Sequence, residues 1–329
     1  EESLANMFSN INDPFSNADL NNSDKSIKSK VAASKEYFST NSVESNAIKN
    51  EFEDYISEHV NEVYVNQNEF AAPGVAGQMA DGSSARFLNS KGLELDQAFA
   101  KGMIGALLTD QMLNNYLSTQ VLDEGDNVSS NDADVLEEGK NYTTMEHKWD
   151  EAYGYLYGDP SIPASNPNSV LGESNDRLLF NYLNSVNNDP DFEGIADEVF
   201  EAFKTGRAAI VGGDYDLRNE QIAIIKENIS TVIGVRSVYY LQKGKIGIEN
   251  EDLGNAFHQL SEGYGFINSL RFTQDPQTGA PYLSPDQIEL FKEQLLEGNG
   301  FWEVTPETLD AISQAIASAF GFTVEEAAL

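Results

Sequence analysis

Between residues 217 and 242, apolar side chains recur at Ile222, Ile225, Ile229, Val232, Ile233 and Tyr240, a spacing that sets them on one face of a helix. Such a stripe cannot lie on a strand, whose side chains alternate faces at every residue, so other helices must cover it. The same period runs through 26–38 and 43–65, where Phe52, Tyr55, Ile56, His59, Val60 and Val63 form a second stripe, and it predicts a helix over 93–121. Nowhere does the chain carry the succession of short alternating strands that a sandwich or barrel needs. The expected fold class is all-α, a helical bundle.

Local punctuation divides the chain. Residues 1–25, rich in Asn, Ser and Asp around Asp13-Pro14, read as an N-terminal extension with a short helical turn, wrapping the outside. A first helical half spans 26–158, broken at Ala71-Ala72-Pro73-Gly74 and Asp81-Gly82-Ser83-Ser84, with a small hairpin expected over 86–95. The segment 123–138 holds Asp123, Glu124, Asp126, Asp132, Asp134, Glu137 and Glu138 but lacks the glycine of a calcium loop, so it reads as a solvated charged loop. A helix from 142 or 143 to 157 follows, capped by Thr143 or Thr144. The Pro- and Asn-rich stretch 159–174 is the expected linker, and 175–329 the second helical half, the two forming separate units or one compact domain. In that half, Ser284-Pro285-Asp286-Gln287 has capping-box spacing with proline at the first helical position, and Thr305-Pro306 opens a last helix.

Two stretches repeat in the same order at similar offsets. Ala98-Phe99-Ala100-Lys101-Gly102 is echoed by Ala202-Phe203-Lys204-Thr205-Gly206, and His147-Lys148-Trp149-Asp150-Glu151-Ala152-Tyr153-Gly154-Tyr155 returns weakened as His258-Gln259-Leu260-Ser261-Glu262-Gly263-Tyr264-Gly265-Phe266. The expectation is a duplicated unit, two related halves about a pseudo-twofold axis. Each copy puts an imidazole and a carboxylate four residues apart on one helix face, about 6 Å along the axis, with Asp150 as an extra acid in the first. If the copies meet, His147, Asp150, Glu151, His258 and Glu262 form a nitrogen and oxygen set suited to divalent iron, zinc or copper. The plainer reading gives each histidine a hydrogen bond to its own helix or a backbone carbonyl, and makes the aromatic positions core. A third reading uses Trp149, Tyr153 and Tyr264 to stack on a sugar. Gly154 and Gly265, costly within helices, imply a close helix approach or a bend. His59, the remaining histidine, reads either as a hydrogen-bonded core residue or as a ligand shared with a neighbouring helix.

Composition prunes the partners. Acidic residues outnumber basic ones 54 to 20, giving −34, which repels nucleic-acid backbones and anionic membrane surfaces. With no cysteine there is no disulfide, thiolate ligand or thiol nucleophile. No apolar run is long enough to span a bilayer. The spacings of zinc proteases, phosphate-binding loops, nucleophile elbows and dinucleotide folds are missing.

Across Met145-Glu146-His147-Lys148-Trp149-Asp150-Glu151-Ala152-Tyr153-Gly154-Tyr155, together with Ala71-Ala72-Pro73-Gly74-Val75-Ala76-Gly77, Lys101-Gly102 and Gly206-Arg207-Ala208-Ala209-Ile210, the chain resembles a family of uncharacterised bacterial lipoproteins, the domain of unknown function numbered 4856. More distantly it is similar to the imelysin-like proteins, extracytoplasmic pairs of helical bundles associated with iron uptake, with relatives that bind metal or alginate. Their motif is Gly-x-His-x-x-Glu. His147 matches its histidine, whereas Met145 stands at the glycine and Asp150 at the glutamate. The resemblance implies a periplasmic or cell-surface location, with a lipid anchor carried by a missing N-terminal signal. The expectation carried forward is a non-enzymatic, imelysin-like binding protein that takes a metal, iron first, or a metal-containing ligand in an uptake context with an outer-membrane partner. The alternative is a surface lipoprotein that binds carbohydrate or another ligand without metal, and a hydrolase is the third reading.

Overall fold

The computed structural model of the chain describes residues 1–328. Its α-helices of eight or more residues are α1 (Glu2–Ser9), α2 (Ser42–Glu58), α3 (Leu95–Met103), α4 (Thr144–Tyr157), α5 (Leu179–Asn187), α6 (Ile195–Val211), α7 (Tyr215–Glu249), α8 (Leu253–Ser269), α9 (Pro285–Leu295) and α10 (Pro306–Phe320). The all-α expectation holds. The side chains of the 217–242 stripe are all buried, on a helix that runs on to 35 residues.

That helix, α7, is the axis of the molecule. Helices α6, α8 and α10 lie along it, and α8 packs also on α3. The stripe predicts one buried face, but α7 is covered on others as well, because small residues admit neighbours there: a Cβ on Gly234 would stand 3.0 Å from the Phe320 ring, and one on Gly247 2.8 Å from Ala256 Cβ. One hydrophobic cluster runs from Phe8 to Ala327 and draws on both expected halves. Residues 1–25 form α1 and a loop with a short turn of helix; Phe8 is buried edge-on against Phe99. The stretch 159–174 is irregular apart from a 3-10 turn at Pro167–Val170.

The hairpin lies earlier than expected. Strands β1 (Gly77–Asp81) and β2 (Ser84–Leu88) pair antiparallel, with Asp81 opposite Ser84. Gly82-Ser83 makes the tight two-residue turn, Gly82 at φ +56°, and that dipeptide was a hairpin signal rather than a mere break. Helix α2 continues as a π-helix at His59–Tyr64, and α3 as one at Ile104–Tyr116. An α-helical period misses this because the wider turn rotates the later side chains. In the second stretch the rotation serves polar groups: Asp110 accepts from the N–H groups of Ala33 (3.0 Å) and Ser34 (2.9 Å), Gln111 donates to the Lys30 carbonyl, and Asn114 to that of Phe272. The acidic 123–138 segment contains a short helix, Asn127–Asp132, and is tied down by Asp123, which pairs at 2.6 Å with the buried Arg218.

Candidate functional site

The first copy of the repeated motif lies on α4, whose capping box joins Thr143 and Glu146 reciprocally. His147 Nε2 stands 3.3 Å from Glu151 Oε1, both partly exposed, and the His147 ring stacks on Tyr142. Asp150 turns elsewhere, to Arg207 on α6 at 3.0 Å, and Arg207 also holds Glu146 at 2.7 Å. Trp149 is 1 % exposed, and its ring N–H donates to the Phe203 carbonyl. A side chain at Gly206 would collide with the Trp149 ring, so the glycine is what lets α4 and α6 approach.

The second copy, on α8, is wired differently. His258 does not pair with Glu262: its Nδ1 lies 3.1 Å from Glu94 Oε2, while Glu262 pairs with Lys101 on α3 at 3.1 Å. These four side chains are mostly buried. Gly265 sits where a Cβ would be 2.6 Å from Lys101 Cβ and 3.0 Å from backbone atoms of Ala98 and Gly102, a close helix approach as its position implied. Gly154, its counterpart, is exposed, and a Cβ there would meet no other part of the protein within 4 Å. Packing crosses the expected boundary between the halves, α4 against α6 and α8 against α3.

The two copies therefore do not build one centre. The set His147, Asp150, Glu151, His258 and Glu262 divides among separate partners, and among the described residues no three His, Asp or Glu side chains converge to hold a metal ion. His147 and Glu151 together offer two donors, where a closed zinc site takes four. His59 departs from the hydrogen-bonded core reading, since its Nδ1 is buried without a hydrogen-bond partner.

What the repeat does bring to a cleft, in both halves, is its tyrosine. Tyr264 lines a cleft of about 750 Å³ between α2, α8 with the following 3-10 turn Leu270–Phe272, and α9. Tyr153, the equivalent residue, lines a smaller one of about 310 Å³ with Phe200, Phe203, Asp150, Lys204 and Arg207. In the larger cleft α2 contributes Glu51, Tyr55 and Glu58, spaced to share one helix face. Lys292 and Arg271 approach from the opposite wall, each under 10 % exposed. Lys292 Nζ lies 2.5 Å from Glu51 Oε1 and 3.3 Å from Glu289, and 5.7 Å from the centre of the Tyr264 ring; Arg271 pairs with Glu289, and Tyr55 donates to Glu51.

Several of these groups are electrostatically displaced. Burial holds the Lys292 ammonium below its ordinary range, with Glu51 opposing. Burial raises the Tyr264 and Tyr55 phenols, and it raises the Glu58 carboxyl, against a hydrogen bond from Asn89. A cluster of displaced groups around a cleft makes it a candidate site for binding or chemistry. Glu51, Tyr55, Arg271 and Lys292 were not singled out by sequence. The spacing of Glu51, Tyr55 and Glu58 was visible there, but their facing partners lie more than 200 residues away.

A family model described as Domain of unknown function (DUF4856) matches residues 1–323. No curated protein and no solved structure matches the chain.

Proposed function

The chain belongs to that family, and we propose that it works as a carbohydrate-binding protein whose principal site is the cleft around Tyr264. The observation that carries the reading is the repeated tyrosine, which reaches a cleft both times, Tyr153 beside Asp150, Lys204 and Arg207, and Tyr264 beside several carboxylates and two cations. A sugar offers alternating donors and acceptors with an apolar C–H face. Carboxylates accept from its hydroxyls, guanidinium and ammonium groups donate to them, and an aromatic ring covers the face. The lining holds six carboxylates against two cations, and the chain as a whole carries −34. That field favours neutral or amino sugars and disfavours uronates and sulfated glycans.

Titration calorimetry with neutral, amino and uronic oligosaccharides tests this. A neutral or amino member binds, and Glu51→Gln weakens it about tenfold, the worth of one hydrogen bond to a charged group. If no member of the panel binds, the reading falls.

A metal reading rests on one specific observation, the 3.3 Å pairing of His147 with Glu151 at the surface. Iron, zinc or copper held there would complete its coordination from water or a second molecule, as in a metal-containing ligand delivered for uptake. Elemental analysis and metal titration of wild type and His147→Ala decide it: stoichiometric metal, lost in the variant, supports it, and none in either ends it. The periplasmic or surface location, lipid anchor and outer-membrane partner rest on the resemblance, and cell fractionation with labelled fatty acid tests them.

A further inference from the structure

The cavity beneath the N-terminal segment is of another kind. It is a half-open pocket of about 380 Å³ between α1, α2 and the start of α3, and Phe8, Phe15, Ile56, Leu95 and Phe99 are among its walls. Three side chains with polar atoms line it, Tyr55, whose hydroxyl is taken up by Glu51, His59 and Asp96. Its rim carries Leu4, Met7 and Ile27, which are 43, 41 and 39 % exposed, unusual exposure for large aliphatic side chains gathered in one place.

His59 sits where α2 changes to its π-helical turn, a kind of local distortion that recurs at functional sites. Its Nδ1 is buried and has no partner in the protein. A polar atom kept in that state bears a desolvation cost, which a turn of the ring that brought it into the cavity against a hydrogen-bonding group would remove. We propose that this cavity binds a single-chain amphiphile with an uncharged polar end, its chain against Phe8, Ile56 and Phe99 and its hydroxyl or carbonyl group on His59. A 150 Å³ apolar cavity takes benzene, so this volume takes roughly 15 heavy atoms, a chain of about ten carbons with its head. The head is neutral because Asp96 is the charged side chain in the lining, and an anionic head would meet it and the field of a −34 chain. This site is independent of the cleft around Tyr264, although the Tyr55 side chain borders both.

The test uses the full chain and the neutral fluorophore N-phenyl-1-naphthylamine, displaced by 1-decanol or decanoate. Saturable one-to-one binding is expected, with 1-decanol displacing the probe about tenfold better than decanoate. Ile27→Trp and Met7→Trp, both at the exposed rim and checked for folding by circular dichroism, narrow the entrance and lower probe affinity about tenfold; if one does not fold, the other decides. His59→Leu weakens 1-decanol by a similar factor. The proposal is overturned by absence of saturable binding, by affinity unchanged in the folded rim variants, by decanoate matching decanol, or by the protein sedimenting with phosphatidylcholine vesicles while failing to bind the monomeric probe, which would make the rim a membrane contact.

Discussion

The two stretches that share one sequence pattern sit in different surroundings. On α4, the histidine and glutamate meet each other at the surface, and the following glycine touches nothing. On α8, the same two residue types turn away from each other into buried pairs with Glu94 and Lys101, and the glycine is the contact point between helices. The difference lies in the neighbours. Helix α8 is packed by α3, α7 and α9, whereas one face of α4 stays open to solvent. A short sequence pattern therefore fixes which side chains share a helix face. Whether they pair is decided by what is packed against that face, and a buried position finds its charge partner on another element.

That contrast can be broken by paired substitutions. The largest difference is expected for Glu262→Ala against Glu151→Ala. The first strands Lys101 in a mostly buried position and costs about 3–5 kcal/mol, while the second removes a partly exposed partner and costs about 1 kcal/mol or less; denaturant unfolding measures both. Gly265→Ala forces α8 off α3 and costs about 1–3 kcal/mol. Gly154→Ala fills open space on an exposed helix position and stabilises by up to about 1 kcal/mol. Equal effects for the two glycines would show that the copies are packed alike. His258→Ala leaves Glu94 buried, with Arg86 3.7 Å away as its remaining ion pair, and costs about 1–3 kcal/mol. His147→Ala changes stability by about 0.5 kcal/mol at most, as expected of a surface substitution.

How far these outcomes could be read from sequence follows the range of the forces. Caps are local, so Ser284, Thr305 and Thr143 mark helix starts that the structure reproduces. The 217–242 stripe is equally local. The π-helical turns were not legible, because a widened turn is settled by what its rotated side chains meet, as Asp110 meets the 33–34 backbone. The partner of His258 lies 164 residues earlier, and nothing in the spacing of His258 and Glu262 announces it. The repeat was legible as a pattern, and its tyrosine was among the residues chosen for ligand binding. Its companions in the cleft come from α2, α8 and α9, three elements that no single pattern links.

Hydrogen–deuterium exchange with and without the tightest oligosaccharide of the panel tests most directly whether a saccharide binds in the cleft around Tyr264. Protection is expected over 51–58, 264–271 and 289–293, with no change over 144–157. Protection confined to 144–157, or absent throughout while the sugar is bound, would contradict it.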